Sequence, residues 1–357
     1  MSVTIVGGGI VGLYTAYCLV EFAHVPASQI CIVGKFLPGD QSASGYTSPW
    51  AGGNWSCISP SDDNTLFYDR FTYENLGKLQ QTLLKHFEGR DGEWLGLARR
   101  PTRELWDYVP AERKIASLES YLEEYRVLSQ AELDQFRPSP PAFGITFKTW
   151  NFNCPVFLYN MAEFLRSRGV KFVRAELTHL AQATAYVNGE PKGKRMIFNC
   201  TGLGAHDLGG VKDHKVYPAR GQVVVVRAPH VNENCLRWGR DYATYVIPRP
   251  GAVKELVLGG FLQVDNWNAQ DASLAETEDI LQRTTTLLPK IGDQGDLQIL
   301  RVAAGLRPAR YGGPRLEREL LDGLVIVHNY GASGYGYQGG LGMGYRAMKL
   351  AIAESKL

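Results

Sequence analysis

Val3-Thr4-Ile5-Val6-Gly7-Gly8-Gly9-Ile10-Val11-Gly12 runs from a β-branched strand through three glycines into a segment whose apolar spacing, Ile10–Glu21, is helical. Ile30–Val33 is a second apolar strand, so the opening reads as one β-α-β unit. Within Gly7-x-Gly9-x-x-Gly12, Gly7 permits the tight turn, Gly9 lets backbone approach a pyrophosphate, and Gly12 allows close helix–strand packing. The amides of Ile10, Val11 and Gly12 at the helix start complement phosphate charge.

In such a unit the second strand ends in an acid that bonds ribose hydroxyls, whereas Val33 is followed here by Gly34-Lys35. A cation there suits a 2′-phosphate or is simply solvated, and the first motif does not choose between the two. The rest of the chain is needed to identify the cofactor.

Lys194–Cys200 contains a buried-strand pattern ending in Thr201-Gly202-Leu203-Gly204, and Leu324–His328 is another strand that ends in glycines. Between these lies chain of a different texture. Residues 61–149 are charged and aromatic, with helical spacing over Tyr73–Phe87 and a break at Pro138-Ser139-Pro140-Pro141, while 216–267 read as successive strands. The predicted fold is α/β, with a dinucleotide-binding domain discontinuous in sequence (1–60, 150–220 and 295–357) and an inserted mixed or antiparallel β-rich substrate domain (61–149 and 221–294).

The chain has 357 residues, 45% hydrophobic and 21% charged, with a net charge of +2 and basic residues scattered among acids. Such a charge pattern gives nucleic acid no electrostatic footprint, and no apolar run is long enough to predict a membrane span. Six cysteines and seven histidines show no metal-ligand spacing, so the cysteines are predicted to be reduced structural thiols and no metal is expected. No secretory leader is evident, so Asn54 and Asn199, though in glycosylation triplets, are not expected to be modified. Ser355-Lys356-Leu357 matches the tripeptide read as a peroxisomal address, which predicts that location and an import receptor as partner.

Four further segments carry chemistry. Thr47-Ser48-Pro49-Trp50-Ala51-Gly52-Gly53-Asn54 combines hydroxyls that can donate to pyrophosphate with small residues that admit a flat ring. In Ala304-Gly305-Leu306-Arg307-Pro308-Ala309-Arg310, Arg307 is the inward guanidinium suited to a carboxylate, and Arg310 is expected to be a surface cation. Tyr245, on the strand Thr244–Pro248, can bond a substrate carboxylate, with Tyr242 in reserve. His328 to Gly339 forms a second glycine-rich turn with Gly331, Gly334 and Gly336.

Together these segments resemble the D-amino-acid oxidase family, FAD enzymes of the glutathione-reductase-like dinucleotide-binding group, and its yeast and fungal branch in particular. The resemblance runs through Val6–Gly12, Ser48–Trp55, Asn199–Gly204, Arg220-Gly221-Gln222, Tyr245–Pro250, Gly259-Gly260, Gly305–Arg310 and Tyr330–Gln338. It implies FAD as cofactor, held by Gly7, Gly9, Ile10, Val11, Gly12, Lys35, Thr47, Ser48, Ala51, Gly52, Gly53, Asn54, Val173, Arg174, Cys200, Thr201, Gly202 and the run Gly331, Gly334, Tyr335, Gly336, Tyr337 and Gln338. Arg307 and Tyr245 would hold the substrate carboxylate, and Gly334 and Gln338 would lie along the flavin edge. A helix starting near Gly339 would direct its dipole at the pyrimidine side of the ring.

The resemblance also implies the reaction: hydride transfer from the Cα of a D-amino acid to flavin N5, then reoxidation by oxygen, giving a 2-oxo acid, ammonia and hydrogen peroxide. Where relatives selective for acidic substrates place an arginine, this chain has Phe261-Leu262, which predicts neutral or apolar side chains. The alternatives are a D-aspartate oxidase, a glycine- or sarcosine-type amine oxidase, and a flavin- or NADP-binding regulatory module without turnover. Arg307 and Tyr245 argue against that module, since a pure cofactor binder needs no carboxylate clamp. Monomer and homo-oligomer both remain open.

Overall fold

A computed structural model describes residues 2–40, 45–186, 195–268, 272–293, 295, 297–321 and 323–353. Ser355-Lys356-Leu357 lies outside the described residues. In chain order the elements are β1 (Ser2–Val6), α1 (Ile10–Glu21), β2 (Ile30–Gly34), α2 (Asp63–His86), α3 (Gly92–Leu95), β3 (Leu97–Trp106), α4 (Glu112–Glu119), β4 (Arg126–Val127), α5 (Gln130–Leu133) and β5 (Phe143–Phe152). There follow α6 (Cys154–Arg168), β6 (Lys171–Arg174), β7 (Arg195–Asn199), β8 (Val216–Arg227), β9 (Asn234–Trp238), β10 (Ala243–Pro248), β11 (Glu255–Gly259), β12 (Gln263–Val264), α7 (Leu274–Leu287), β13 (Gln298–Arg310), β14 (Arg315–Leu321), β15 (Leu324–Tyr330) and α8 (Gly336–Ile352).

The chain forms two compact units, the first comprising 1–49, 158–219 and 307–357. Its sheet has the order β14-β15-β7-β1-β2-β6, parallel throughout except for the edge pair β14·β15. Because β1, β2, β7 and β15 are buried, they read as continuous apolar runs rather than alternating ones. Register places Val6 opposite both Val33 and Asn199, and Asn199 opposite His328. The Gly7, Lys35, Cys200 and Gly331 turns therefore all leave the carboxyl edge of the parallel strands, where open α/β sheets bind ligands.

Helix α1 is buried on nearly every side, and α8 packs on it through glycines. A Cβ on Gly344 would lie 3.1 Å from the Thr15 nitrogen, and one on Gly340 3.0 Å from the Tyr14 ring. Helix α8 begins at Gly336, not near Gly339, because the chain completes a short 3-10 turn over Ser333–Tyr335 and enters the helix directly. Tyr337 and Gln338 thus belong to its first turn.

The second unit comprises 50–157 and 220–306. The units change over at 49/50, 157/158, 219/220 and 306/307, where the sequence reading divides the chain at 60/61, 149/150, 220/221 and 294/295. The order of its sheet is β12-β8-β11-β10-β9-β3-β5-β4, with β13 joined to β8; β3·β9 is a parallel pair, while β8·β11, β11·β10, β10·β9, β3·β5 and β5·β4 are antiparallel. The Val223-Val224-Val225-Val226 run serves two cores at once. Val224 and Val226 pack with Val246, Leu256 and Ile280, while Val223 and Val225 pack with Tyr245, Ile247 and Val257 on the other face.

Residues 61–149 contribute more strand than their texture suggests. The β3·β5 pairing runs from Leu97 opposite Phe152 to Trp106 opposite Phe143. Pro101 and the arginines of β3 break the alternation that would have announced it. Helix α2 extends to Asp63, one side of Tyr73–Phe87 being prolonged by a start at Asp62, whose carboxylate accepts from the Thr65 amide.

Candidate functional site

In the first unit the glycines stand where side chains have no room. A Cβ on Gly7, whose φ is +119°, would lie 2.3 Å from the Cys200 carbonyl oxygen, and one on Gly12 would lie 2.1 Å from the Gly7 oxygen. A Cβ on Gly9 would meet Ser48 Oγ at 2.9 Å. Turn and sheet edge therefore touch backbone to backbone, and only hydrogen fits between them.

Around this turn Ile10, Val11, Ser48, Gly336 and Tyr337 come together. Ser48 Oγ accepts from the Ile10 amide at 3.1 Å, and the Tyr337 hydroxyl donates to the Ser48 carbonyl at 3.0 Å. The Tyr46 hydroxyl donates to the Gly8 carbonyl at 2.7 Å, and burial pushes that phenol far above its usual pKa. A Cβ on Gly336 would touch Ile10 at 3.6 Å and Val11 at 3.9 Å, so α8 begins beside the first residues of α1. Neither helix has a side-chain N-cap at Gly9 or Tyr335, and neither has an acid in its first turn. Two positive dipole ends meet at a glycine cradle, an arrangement that fits the pyrophosphate of a dinucleotide such as FAD.

The neighbouring strand ends are tied in by Thr15. Its hydroxyl donates to the Val11 carbonyl at 2.8 Å, accepts from Asn329 Nδ2 at 3.0 Å and lies 3.7 Å from Cys200 Sγ. All six cysteines are free and buried, as expected, and burial pushes Cys200 up to about 12. Thr201 leans on Asn199, its hydroxyl donating to Oδ1 at 2.7 Å. Gly202 and Gly331 take φ of +58° and +89°, and Gly334 lies in the turn before α8.

At the ends of β2 and β6 the cations have partners. Lys35 pairs with Glu176 at 2.7 Å, both exposed, while Arg174 donates to both carboxylate oxygens of Asp40. The Arg174 guanidinium holds the Asp40 carboxyl below the usual range. Val173 lies between them in register with Val33.

Arg307 is half-buried, and its guanidinium donates to the Ala219 carbonyl at 3.4 Å, a long contact. Arg310 is not the surface cation expected. Its side chain is 16% exposed and pairs with the nearly buried Asp213 at 2.7 Å, while the Tyr330 hydroxyl donates to the same carboxylate. The sequence offered no cue, since Asp213 lies far upstream.

In the second unit the Ala51–Asn54 loop is stitched to β5. Phe152 donates to the Gly53 carbonyl at 2.7 Å, Asn54 bridges to Asn151, and Cys154 Sγ reaches the Ala51 carbonyl at 3.5 Å. Gly53 takes φ of +87°, and its Cβ would lie 2.4 Å from the Phe152 oxygen. Tyr245 is buried in β10 against the Gly259-Gly260 backbone, with Gly52 near its ring. Tyr242 is 41% exposed and donates to Asp107, and Leu262 is 62% exposed.

Sequence reasoning missed Glu104. Fully buried on β3, its carboxylate accepts from the Cys57 amide at 3.2 Å and the Trp238 indole at 3.0 Å, and burial pushes its pKa up to about 7. It fastens the segment after Asn54 to the sheet. Among the described residues no group of three or more His, Cys, Asp or Glu side chains could hold a metal, and no helix is long and apolar enough to cross a membrane.

The family model DAO, FAD dependent oxidoreductase, matches residues 2–350. D-amino-acid oxidase of Schizosaccharomyces pombe is 39% identical over 364 residues, covering 100% of this chain and 97% of that protein. D-aspartate oxidase of Cryptococcus neoformans is 28% identical, covering 98% and 96%. The crystal structure of glycine oxidase from Geobacillus kaustophilus superposes with a TM-score of 0.72 at 19% identity, covering 99% of this chain and 94% of that one, a likeness of fold.

Proposed function

The chain belongs to the DAO family of FAD-dependent oxidoreductases, and we propose from that premise that it oxidatively deaminates D-amino acids with neutral or apolar side chains. The observation that carries this reading is the full-length 39% identity to a D-amino-acid oxidase, joined to a glycine cradle at two helix N-termini that suits FAD. When bound, FAD supplies the acceptor for the hydride leaving Cα and the route of its electrons to oxygen, so that the products are a 2-oxo acid, ammonia and hydrogen peroxide.

The chain's own part is alignment. In the first unit Arg307 offers a planar fork and in the second Tyr245 offers a phenolic donor; the family resemblance assigns both to the substrate α-carboxylate, an anchoring that would fix the direction of the Cα–H bond. Once the amine is neutral, no protein base is required at Cα, and none is assigned.

The preference for neutral side chains rests on where cations are already committed. Arg237 pairs with Asp107 at 2.8 Å and Arg249 with Glu255 at 3.0 Å, both nearly buried, so neither is spare for a second substrate carboxylate. Leu262 adds no charge. D-aspartate is the alternative substrate. Peroxide release from paired enantiomers of alanine, methionine and aspartate tests this directly. D-alanine and D-methionine are expected to turn over and their L-forms not; activity confined to D-aspartate would overturn the side-chain assignment while leaving the reaction in place.

We also propose that Ser355-Lys356-Leu357 is read by the peroxisomal import receptor, which suits a peroxide-forming enzyme. A fluorescent protein carrying this tripeptide at its own C-terminus is expected in peroxisomes, and diffuse signal would sink the assignment.

A further inference from the structure

Three strands of the first unit carry a buried polar relay from the surface to the glycine turn after β7. Asn199 is 0% exposed and His328 1% exposed, side by side in register on β7 and β15. The Thr201 amide donates to Asn199 Oδ1 at 3.3 Å and the Thr201 hydroxyl to the same atom at 2.7 Å. Since a backbone N–H can only donate, the Asn199 amide cannot be turned round. Its Nδ2 therefore faces His328 Nδ1, 3.1 Å away, and that nitrogen must accept. The imidazole proton is left on Nε2, which donates to Glu319 on β14 at 2.8 Å.

We propose that Asn199 and His328 are positioning residues for FAD, holding the Thr201 turn in its binding arrangement only while His328 is neutral, so that acidification loosens the cofactor. This rests on the family reading that the Cys200-Thr201-Gly202 turn contacts FAD.

Adding a proton places Nδ1–H against the Asn199 NH2, donor against donor. If Asn199 rotates to relieve that contact, its NH2 turns onto the Thr201 amide, again donor against donor. Either way the turn loses the bond that sets its amide. The charged and titratable groups facing the ring are Glu319, Glu317 and Arg315 on β14 and Tyr330 on its own strand, while β7 contributes the uncharged Asn199. Burial outweighs the acids and holds the imidazole below the ordinary histidine range. The neutral form thus prevails at neutral pH and is lost only on acidification past the ordinary histidine range. The sign follows: FAD selects neutral His328, so binding opposes proton uptake and weakens as pH falls.

The test is FAD titration into apoprotein, read by quenching of flavin fluorescence, from about pH 8 to about pH 5. In the wild type Kd is expected to rise on acidification, approaching about tenfold per pH unit for one linked proton. His328→Asn keeps an acceptor near Nδ1 without a titrating ring and should bind FAD at pH 8 with the acid rise flattened. Glu319→Gln, at a 41% exposed side chain that folding tolerates, removes the anion supporting the imidazolium and should move the rise to lower pH. Superimposable curves for the wild type and Glu319→Gln, or the same acid slope in His328→Asn, would overturn the relay. Failure of the wild type to bind FAD even at pH 8 would overturn the cofactor reading itself, and the relay with it.

Discussion

Arg307→Ala is expected to lower kcat/KM for a D-amino acid by about two to four orders of magnitude while the protein still takes up FAD and turns yellow. Each charge-assisted bond from a guanidinium to a carboxylate contributes about 1.5–3 kcal/mol, and a bidentate pair loses both at once. The loss should fall on kcat as well as KM, because a substrate without its carboxylate anchor no longer presents Cα–H along one direction. Arg307→Lys restores the charge but not the fork and should recover only part of the rate. Unchanged kinetics with D-alanine would remove Arg307 from the substrate site.

Arg310 is the natural control because it is three residues away on the same strand and equally cationic. Its charge is spent on Asp213, which also accepts from Tyr330, so Arg310→Ala would leave a nearly buried carboxylate without its counter-ion. The expected defect is in stability. The sequence placed Arg310 at the surface because nothing near it in the strand offers a partner; what draws it inward is Asp213, almost a hundred residues upstream.

The same physical reason governs what else was legible. The β1-α1-β2 unit, the strand β7 and the strand β15 are local patterns of apolar residues closed by glycines, and each could be read where it stands. Ser48 against Ile10, Tyr46 against Gly8 and Asn199 against His328 are contacts between segments far apart in the chain, and no local spacing encodes them. Strand β3 was hidden for another reason. Its arginines and Pro101 suit an exposed segment, yet Arg100 is buried against Glu93, so paired charge took the place of apolar alternation. Glu104 is the same case carried further, a fully buried acid made tolerable by the Cys57 amide and the Trp238 indole that donate to it.

Gly12→Ala and Gly77→Ala are expected to have opposite signs although both add one methyl to a helix. In an unobstructed helix that change stabilises by about 0.5–1 kcal/mol, through the unfolded chain's lost freedom and the better helix propensity of alanine. Gly77, within α2, meets that condition, since its added Cβ would lie 3.4 Å from the Trp150 ring, an ordinary contact. At Gly12 the Cβ would lie 2.1 Å from the Gly7 carbonyl oxygen, which is backbone in a turn already fixed against Cys200. No flexible side chain can yield there, so α1 must move away from β1, and overpacking of this kind costs about 1–3 kcal/mol or more. The clash outweighs the propensity gain. Moving α1 also pulls its amides off the Gly7–Gly9 turn, so FAD binding should fall together with stability. Thermal unfolding of the two apoproteins and FAD titration would show this: Gly77→Ala should unfold slightly higher with unchanged Kd, and Gly12→Ala should unfold lower with FAD affinity reduced at least about a hundredfold. Normal FAD affinity in Gly12→Ala would mean that the close strand–helix approach at this glycine does not position the cofactor.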